Sequence, residues 1–245
     1  MDFGALWSTM VKFADTLAHA VSLVRVPRAK PDMYRDYNIL RQYYILDASA
    51  KHFNVGPDDP APLYGKTLLD VGCGESTIAQ FLALSGADIT GIDVDLGSIS
   101  FAETAAKAFG APIHFIHAPV ESLIQHTQKY DVILALDVLE TVPDAPKLLW
   151  VMKQLLAPGG LIIISHITRS PKAWFMHVFL SSIIYRRTHR HSGDVRRFHT
   201  PRQLGKLCQK VGLTLTNVQG MRLSTSKHRW KLSPHVDTRY LATAS

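Results

Sequence analysis

The segment Asp70-Val71-Gly72-Cys73-Gly74-Glu75-Ser76 ends an apolar run in an acid and a glycine turn, and Gly91-Ile92-Asp93 ends the next run in a second acid. Gly72 and Gly74 permit a tight turn and let the backbone approach a ligand where a Cβ would intrude. A dinucleotide fingerprint wants a third glycine three residues on; Thr77 stands there, so a pyrophosphate is poorly matched. A carboxylate such as Asp93 at a strand end can instead accept both hydroxyls of a ribose. With Asp70 before the glycines the turn becomes an acidic cradle, suited to a cationic adenosine cofactor. The sulfonium and α-amino group of S-adenosylmethionine carry such charge.

The elements that must hold these loops are visible as short apolar runs alternating with helical stretches from Lys66 onward. TLLDVG, DITGID, IHFIHA, DVILAL and GLIIISHI read as strands; TIAQFLALSG, LGSISFAETAAKAFG, VESLIQHTQ and APKLLWVMKQLLA read as the helices between them. Continuous apolar strands separated by helices predict an α/β fold, a mostly parallel sheet with helices on both faces, whose ligands bind at the carboxyl ends of the strands. Upstream, Phe3, Leu6, Trp7, Met10, Val11, Leu17, Val21 and Val24 fall near helical spacing, predicting an amphipathic helix over 3–24. A second helix is expected over about 34–52, before the proline-rich VGPDDPAPLYG, which no helix or strand would cross. The expected organisation is an N-terminal helical cap and linker over 1–60, then a sheet domain over 61–245 carrying a cap insertion at about 168–200.

Composition sets outer bounds. The 245 residues are 47% hydrophobic and 19% charged, as in globular proteins, and the formal charge of +7 favours anionic partners. Cys73 and Cys208 are the two cysteines, too few for a disulfide framework, so a reducing, cytoplasmic setting is expected. No apolar run is long enough to span a bilayer, and MDFGALWSTM lacks the features of a signal peptide.

LLDVGCGESTIAQFLALSGADITGID, YDVILALDVLETVPD and LLAPGGLIIIS resemble the successive motifs of class I S-adenosylmethionine-dependent methyltransferases. SHITRSPKAWFMHVFLSSIIYR, FHTPRQL and RWKLSPHVDTRYLATA are similar to segments of the ubiquinone-biosynthesis O-methyltransferases, and the front piece resembles that family only loosely, at YNILRQYYI. The resemblance implies a Rossmann-like sheet with an antiparallel edge strand. It also implies that Asp70, Gly72, Cys73 and Gly74 line the methionine part of S-adenosylmethionine, that Asp93 holds the ribose, that Val94 and Val120 lie near the adenine, and that Asp137 faces the methionine amine.

The implied reaction is methyl transfer to a phenol or catechol, whose proton must go to a base or be loosened by a divalent metal. Asp137 and Glu140 stand where the family carries an acidic pair followed by a metal-binding histidine, but Thr141 holds the histidine's place. Two carboxylates with waters could still hold Mg²⁺. Glu140 could equally be an acid favoured at a helix N-terminus. The candidate bases are His166, expected just after the fifth strand, and His199 in RRFHTP. HSGDVRRF keeps only Asp194 of the family's His-Asp-Trp stretch.

Residues 172–202 place Trp174, Phe175, Phe179, Leu180, Ile183 and Ile184 ahead of Arg186, Arg187, Arg190, Arg196, Arg197 and Arg202. That order suits a cap helix over a substrate pocket, or a peripheral contact with an anionic membrane through which a lipid-tailed acceptor enters. The basic stretch also suits nucleic acid, but LDVLETV lacks the Asn/Asp-Pro-Pro-aromatic of base amino-methylators and no aromatic residues interleave the arginines. A non-catalytic scaffold that binds the cofactor is the other competing reading, motivated by Thr141 and Gly193.

Overall fold

Asp70 and Asp93 are brought side by side by the first parallel pairing of the sheet. In this computed structural model, which describes residues 31–56, 59, 61–175, 194–224 and 229–245, β1 (Thr67–Val71) pairs in parallel with β2 (Asp88–Asp93), and β2 with β3 (Ile113–His117). The helix expected over 3–24 and most of the insertion expected at about 168–200 lie outside the described residues. The contacts divide the chain into two compact units, one of Met1–Pro119 with Ser224–Trp230, the other of Val120–Leu223 with Lys231–Ser245.

In the first unit, α1 (Pro31–His52) precedes β1, α2 (Thr77–Leu84) connects β1 to β2, and α3 (Leu96–Phe109) connects β2 to β3. Leu68 and Leu69 on β1 and Ala79 and Leu82 on α2 are fully buried, which explains why these runs are apolar without alternation. Asp95 caps α3 by accepting the Ser98 amide at 2.9 Å, and Gly110 ends it in the left-handed conformation at φ 66°. Gly91 is needed for a different reason: a Cβ there would meet the Phe115 ring at 3.0 Å and the Cys73 sulfur at 3.1 Å.

In the second unit, β4 (Tyr130–Leu136) runs parallel to β5 (Leu156–Ile167) through α4 (Ala145–Leu155). Asp144 starts α4 by accepting the Lys147 amide. After α5 (Pro201–Lys210) the chain forms β6 (Leu215–Ser224), then β7 (Arg229–Ser233), and β8 (Arg239–Ala244). β8 lies antiparallel to both β5 and β6. Ile162, Ile163 and Ile164 of β5 and Leu241 and Ala242 of β8 are fully buried.

The α/β fold expected from the sequence is present, as a mixed sheet with mostly parallel strands flanked by helices, and the antiparallel part comprises more than an edge strand. VESLIQHTQ forms a 3₁₀ turn over Val120–Gln125 in place of a longer helix. Its apolar stretch ends at Ile124, too short to offset the cost of nucleating an α-helix.

The first residue after the segment carrying His199 is Thr200, the N-cap of α5. Its hydroxyl accepts the Gln203 amide at 3.3 Å while the Gln203 side chain accepts the Thr200 amide at 2.9 Å, a complete capping box. Thr200→Ala is expected to lower unfolding stability by about 1 kcal/mol in urea titrations, with Thr200→Ser close to wild type.

Candidate active site

In the first unit the polar groups converge on the turn after β1. The Gly72 amide donates to the Ile92 carbonyl at 2.8 Å, and the Gly74 amide donates to Asp93 Oδ2 at 2.9 Å. Asp93 Oδ1 accepts the Asp95 amide at 2.9 Å. Each Asp93 oxygen thus has one backbone donor that fixes it and a lone pair left over for a ligand hydroxyl. Gly72 and Gly74 have φ of 65° and 51°, and nothing lies within 4 Å of where a Gly74 Cβ would be. Val94, next to Asp93, is 69% exposed, a large apolar side chain offered to solvent at a strand end.

Asp70 lies deeper, at 3% exposure. Burial pushes its carboxyl up to about 7, with Asp93 adding to the rise and the Arg41 guanidinium opposing it. Arg41, on α1, is itself buried, lies 4.3 Å over the Tyr37 ring and donates to Asn38. It was not singled out from the sequence, although a charged side chain among Ile39, Leu40, Tyr43 and Tyr44 is a usable signal. Buried atoms without a hydrogen-bond partner gather in this unit too: Gln42 Oε1, Ser76 Oγ and Gln80 Oε1. Cys73 is buried, and burial with Asp70 and Asp93 nearby raises its thiol far above the ordinary range, which makes it packing rather than a nucleophile.

The second unit holds the other site residues. Val120 is buried at the start of the 3₁₀ turn. Asp137 follows β4 with φ 58°, a left-handed conformation that aspartate tolerates better than most side chains. Its amide donates to the Ser165 carbonyl at 3.1 Å, and its Oδ1 accepts Ser165 Oγ at 2.8 Å and Arg239 Nη1 at 3.0 Å. Glu140, three residues on, is 3% exposed and accepts from His166 Nδ1 at 2.8 Å. His166 lies inside β5 rather than after it, fully buried, with its Nε2 3.1 Å from His199 Nδ1. The two imidazoles stack with centroids 5.2 Å apart.

Two expectations are revised by this geometry. Both His166 ring nitrogens are engaged inside the protein, so His166 has no free nitrogen to meet an acceptor; of the two histidines His199 is the half-buried one. The Mg²⁺ ligand set does not fit either. Glu140 is committed to His166, and Asp137 to a guanidinium that would repel a divalent cation. Thr141 Oγ1 donates to the Val138 carbonyl, and Arg197 Nη1 donates to the Thr141 carbonyl. Among the described residues no cluster of three or more His, Cys, Asp or Glu could hold a metal. Arg239 and Ser165 were missed from the sequence, since nothing in their local pattern marks that they would meet Asp137.

The expected greasy cap is described only in part. Trp174 and Phe175 are 44% and 56% exposed, and an open cavity of about 380 Å³ is lined by Arg169, Ser170, Pro171, Trp174 and Val195. Phe179, Leu180, Ile183, Ile184, Arg186, Arg187 and Arg190 lie outside the described residues. Arg196 and Arg197 both pair with Asp194, so part of the basic rim is neutralised locally. No described helix is long and apolar enough to cross a membrane.

Comparison with known proteins gives the family of the chain. A family model for a methyltransferase domain matches residues 39–218. The ubiquinone biosynthesis O-methyltransferase of Pectobacterium atrosepticum is 32% identical over 184 residues, 75% of this chain and 76% of its own. That of Rhizobium etli is 29% identical over 218 residues, 89% of this chain and 88% of its own. Among solved structures, magnesium protoporphyrin IX methyltransferase from Synechocystis PCC 6803 with bound S-adenosylmethionine superposes with a TM-score of 0.56 at 20% identity, over 90% of this chain and 86% of its own. A methyltransferase from Clostridium acetobutylicum gives 0.59 at 12% identity, over 83% and 89%. The chain belongs to the class I S-adenosylmethionine-dependent methyltransferases, and it is an enzyme of that family.

Asp70 makes a pH signature. Its carboxyl holds a proton more tightly folded than unfolded, so its contribution to stability is lost as pH rises from 3.8 toward about 7. Asp70→Asn, which keeps the shape without the charge, is expected to match wild type in melting temperature below about pH 4 and to exceed it increasingly up to about pH 7, where the difference levels off. Parallel thermal melts of the two proteins without ligand check this; a constant difference would contradict it.

Proposed function

We propose that the protein transfers a methyl group to the oxygen of a phenol or catechol, and that the acceptor is a quinone precursor with a prenyl tail. The observation that carries the reading is the match, over three quarters or more of both chains, to enzymes named for O-methylation in ubiquinone biosynthesis. The open apolar cavity at Trp174 and Val195 supports a tailed acceptor, which would reach the protein from a membrane surface.

The residues present fit S-adenosylmethionine: an acid fixed with free lone pairs, open space at Gly74, an exposed Val94 and a buried acid favouring a cationic ligand. When bound, the cofactor would supply a methyl group carried on a sulfonium, an electrophile open to displacement by the acceptor oxygen. Asp93 would hold the ribose hydroxyls, and Val94 would cover the adenine. Asp70 and the Gly72-Cys73-Gly74 backbone would surround the methionine portion, where a positive charge draws Asp70 into its ionised form. For Val120 and Asp137 the assignment to adenine and amine rests on the family resemblance alone. No step runs through Mg²⁺, because Glu140 and Asp137 are engaged elsewhere. Thr141, at the place of the family's histidine, keeps open a second reading as a scaffold that binds the cofactor without turnover.

Labelled methyl transfer to a short-prenyl catechol is expected to proceed equally with and without a chelator. Asp93→Ala is expected to weaken S-adenosylmethionine binding at least about 10-fold by calorimetry, the loss of two charge-assisted hydrogen bonds. Cofactor binding without transfer to any phenol would overturn the acceptor reading and leave the scaffold.

A further inference from the structure

Glu140, His166 and His199 form a continuous hydrogen-bonded line from a buried carboxylate to a half-buried imidazole. Glu140 Oε2 and His166 Nδ1 are 2.8 Å apart, so Nδ1 carries the hydrogen and the carboxylate accepts it. The His199 backbone amide donates to His166 Nε2 at 3.1 Å, so Nε2 presents its lone pair. His199 Nδ1 is also 3.1 Å from that lone pair. Two lone pairs would repel at that distance, so His199 Nδ1 must carry a hydrogen. A neutral imidazole has one N–H, which leaves His199 Nε2 unprotonated, with no hydrogen bond among the described residues.

The surroundings hold this arrangement. The Tyr240 hydroxyl donates to the His199 carbonyl at 3.0 Å, and its ring lies edge-on to His166 at 5.9 Å. Phe198, fully buried with Ile167 and Ala173, anchors the residue before His199. Arg169 donates to the carbonyls of Phe198 and Arg196, fixing the same segment.

We propose that His199 Nε2 is the base that takes the acceptor's proton, and that His166 and Glu140 are positioning residues that set its tautomer and spread the resulting charge. The inference rests on the acceptor reading above. As the acceptor oxygen bonds the methyl carbon, its O–H pair stays on oxygen and the proton goes to His199 Nε2. His199 becomes an imidazolium whose Nδ1–H is held by His166, which leans on the Glu140 carboxylate. One positive charge leaves the sulfonium and one appears on His199, so charge balances.

Burial above all, with the Arg169 guanidinium adding to it, holds the His199 imidazole down at about 4. The ring is therefore neutral at physiological pH. It is too weak a base to ionise a free phenol beforehand, but it readily takes the proton from an oxygen already bonding carbon. Proton transfer then accompanies or follows C–O bond formation. Among the described residues, the charged and titratable groups facing His199 are His166, Arg169, Tyr240 and, through His166, Glu140.

Two measurements test this. In ¹⁵N spectra of the full-length protein without ligand, His199 Nε2 is expected at the unprotonated position and Nδ1 at the protonated one, with His166 Nδ1 protonated; the opposite His199 tautomer would overturn the relay. In turnover, His199→Gln is expected to lower kcat by about 100-fold with little change in KM, a deficit that shrinks once pH exceeds the acceptor's own ionisation, when no base is needed. A deficit constant with pH in an enzyme that is active as wild type would mean that His199 is structural. A wild-type protein inactive on every phenol overturns instead the acceptor reading on which this rests.

Discussion

A carboxylate carried into a protein interior costs several kcal/mol unless a donor meets it there, and in the second unit that donor is His166. Much of the local architecture follows from satisfying this pair. Parallel pairing of β4 with β5 sets Leu136 opposite Ser165, so the loop leaving β4 runs beside the last residues of β5. The left-handed turn at Asp137, held by its amide bond to Ser165, swings the following residues back so that Glu140 reaches the imidazole. His166, fully buried, then needs a partner for its second nitrogen, and the His199 segment supplies both an amide and a ring. Tyr240 on β8 closes the loop by binding the His199 carbonyl, which couples the antiparallel part of the sheet to the same cluster.

The first unit solves the opposite problem. Asp70 is as buried as Glu140, yet its main electrostatic relief is Arg41, and burial still outweighs it. A cationic ligand beside Asp70 would reverse that balance, since opposite charge favours the ionised form. Ionising Asp70 in this way would couple ligand affinity to protein stability. Ser76 Oγ and Gln80 Oε1 are buried in the same unit without a hydrogen-bond partner, and an unpaired buried polar atom is costly.

The strands that carry the cofactor-side residues were legible because each is apolar throughout and closes on a recognisable acid or glycine. Asp70, Gly72, Gly74 and Asp93 are local signals, fixed by type and by position in a run. β6 was not legible, because a strand such as LTNVQGMRLS mixes polar and apolar residues without strict alternation and buries little beyond Gly220 and Met221. His166 was legible as a residue at the carboxyl end of the fifth strand, but its full burial and its hydrogen bond to Glu140 were not, and these make it a buried link. The pairing of His166 with His199, 33 positions apart, has no sequence signature, since it depends on where the chain returns after the insertion.

The histidine pair also bears on why the metal reading fails in this chain. A buried carboxylate can be stabilised by a divalent cation or by a hydrogen-bond donor, but the same oxygens cannot serve both. With Thr141 in place of a histidine ligand, a cation at Glu140 would have fewer donors and a guanidinium already seated on the neighbouring Asp137. His166 supplies a neutral donor that tolerates a nearby guanidinium far better than a divalent ion would. In the proposal made above, the acceptor's proton goes to a side chain farther along that line. Among the described residues, His199 is the member of the line whose second ring nitrogen has no hydrogen bond.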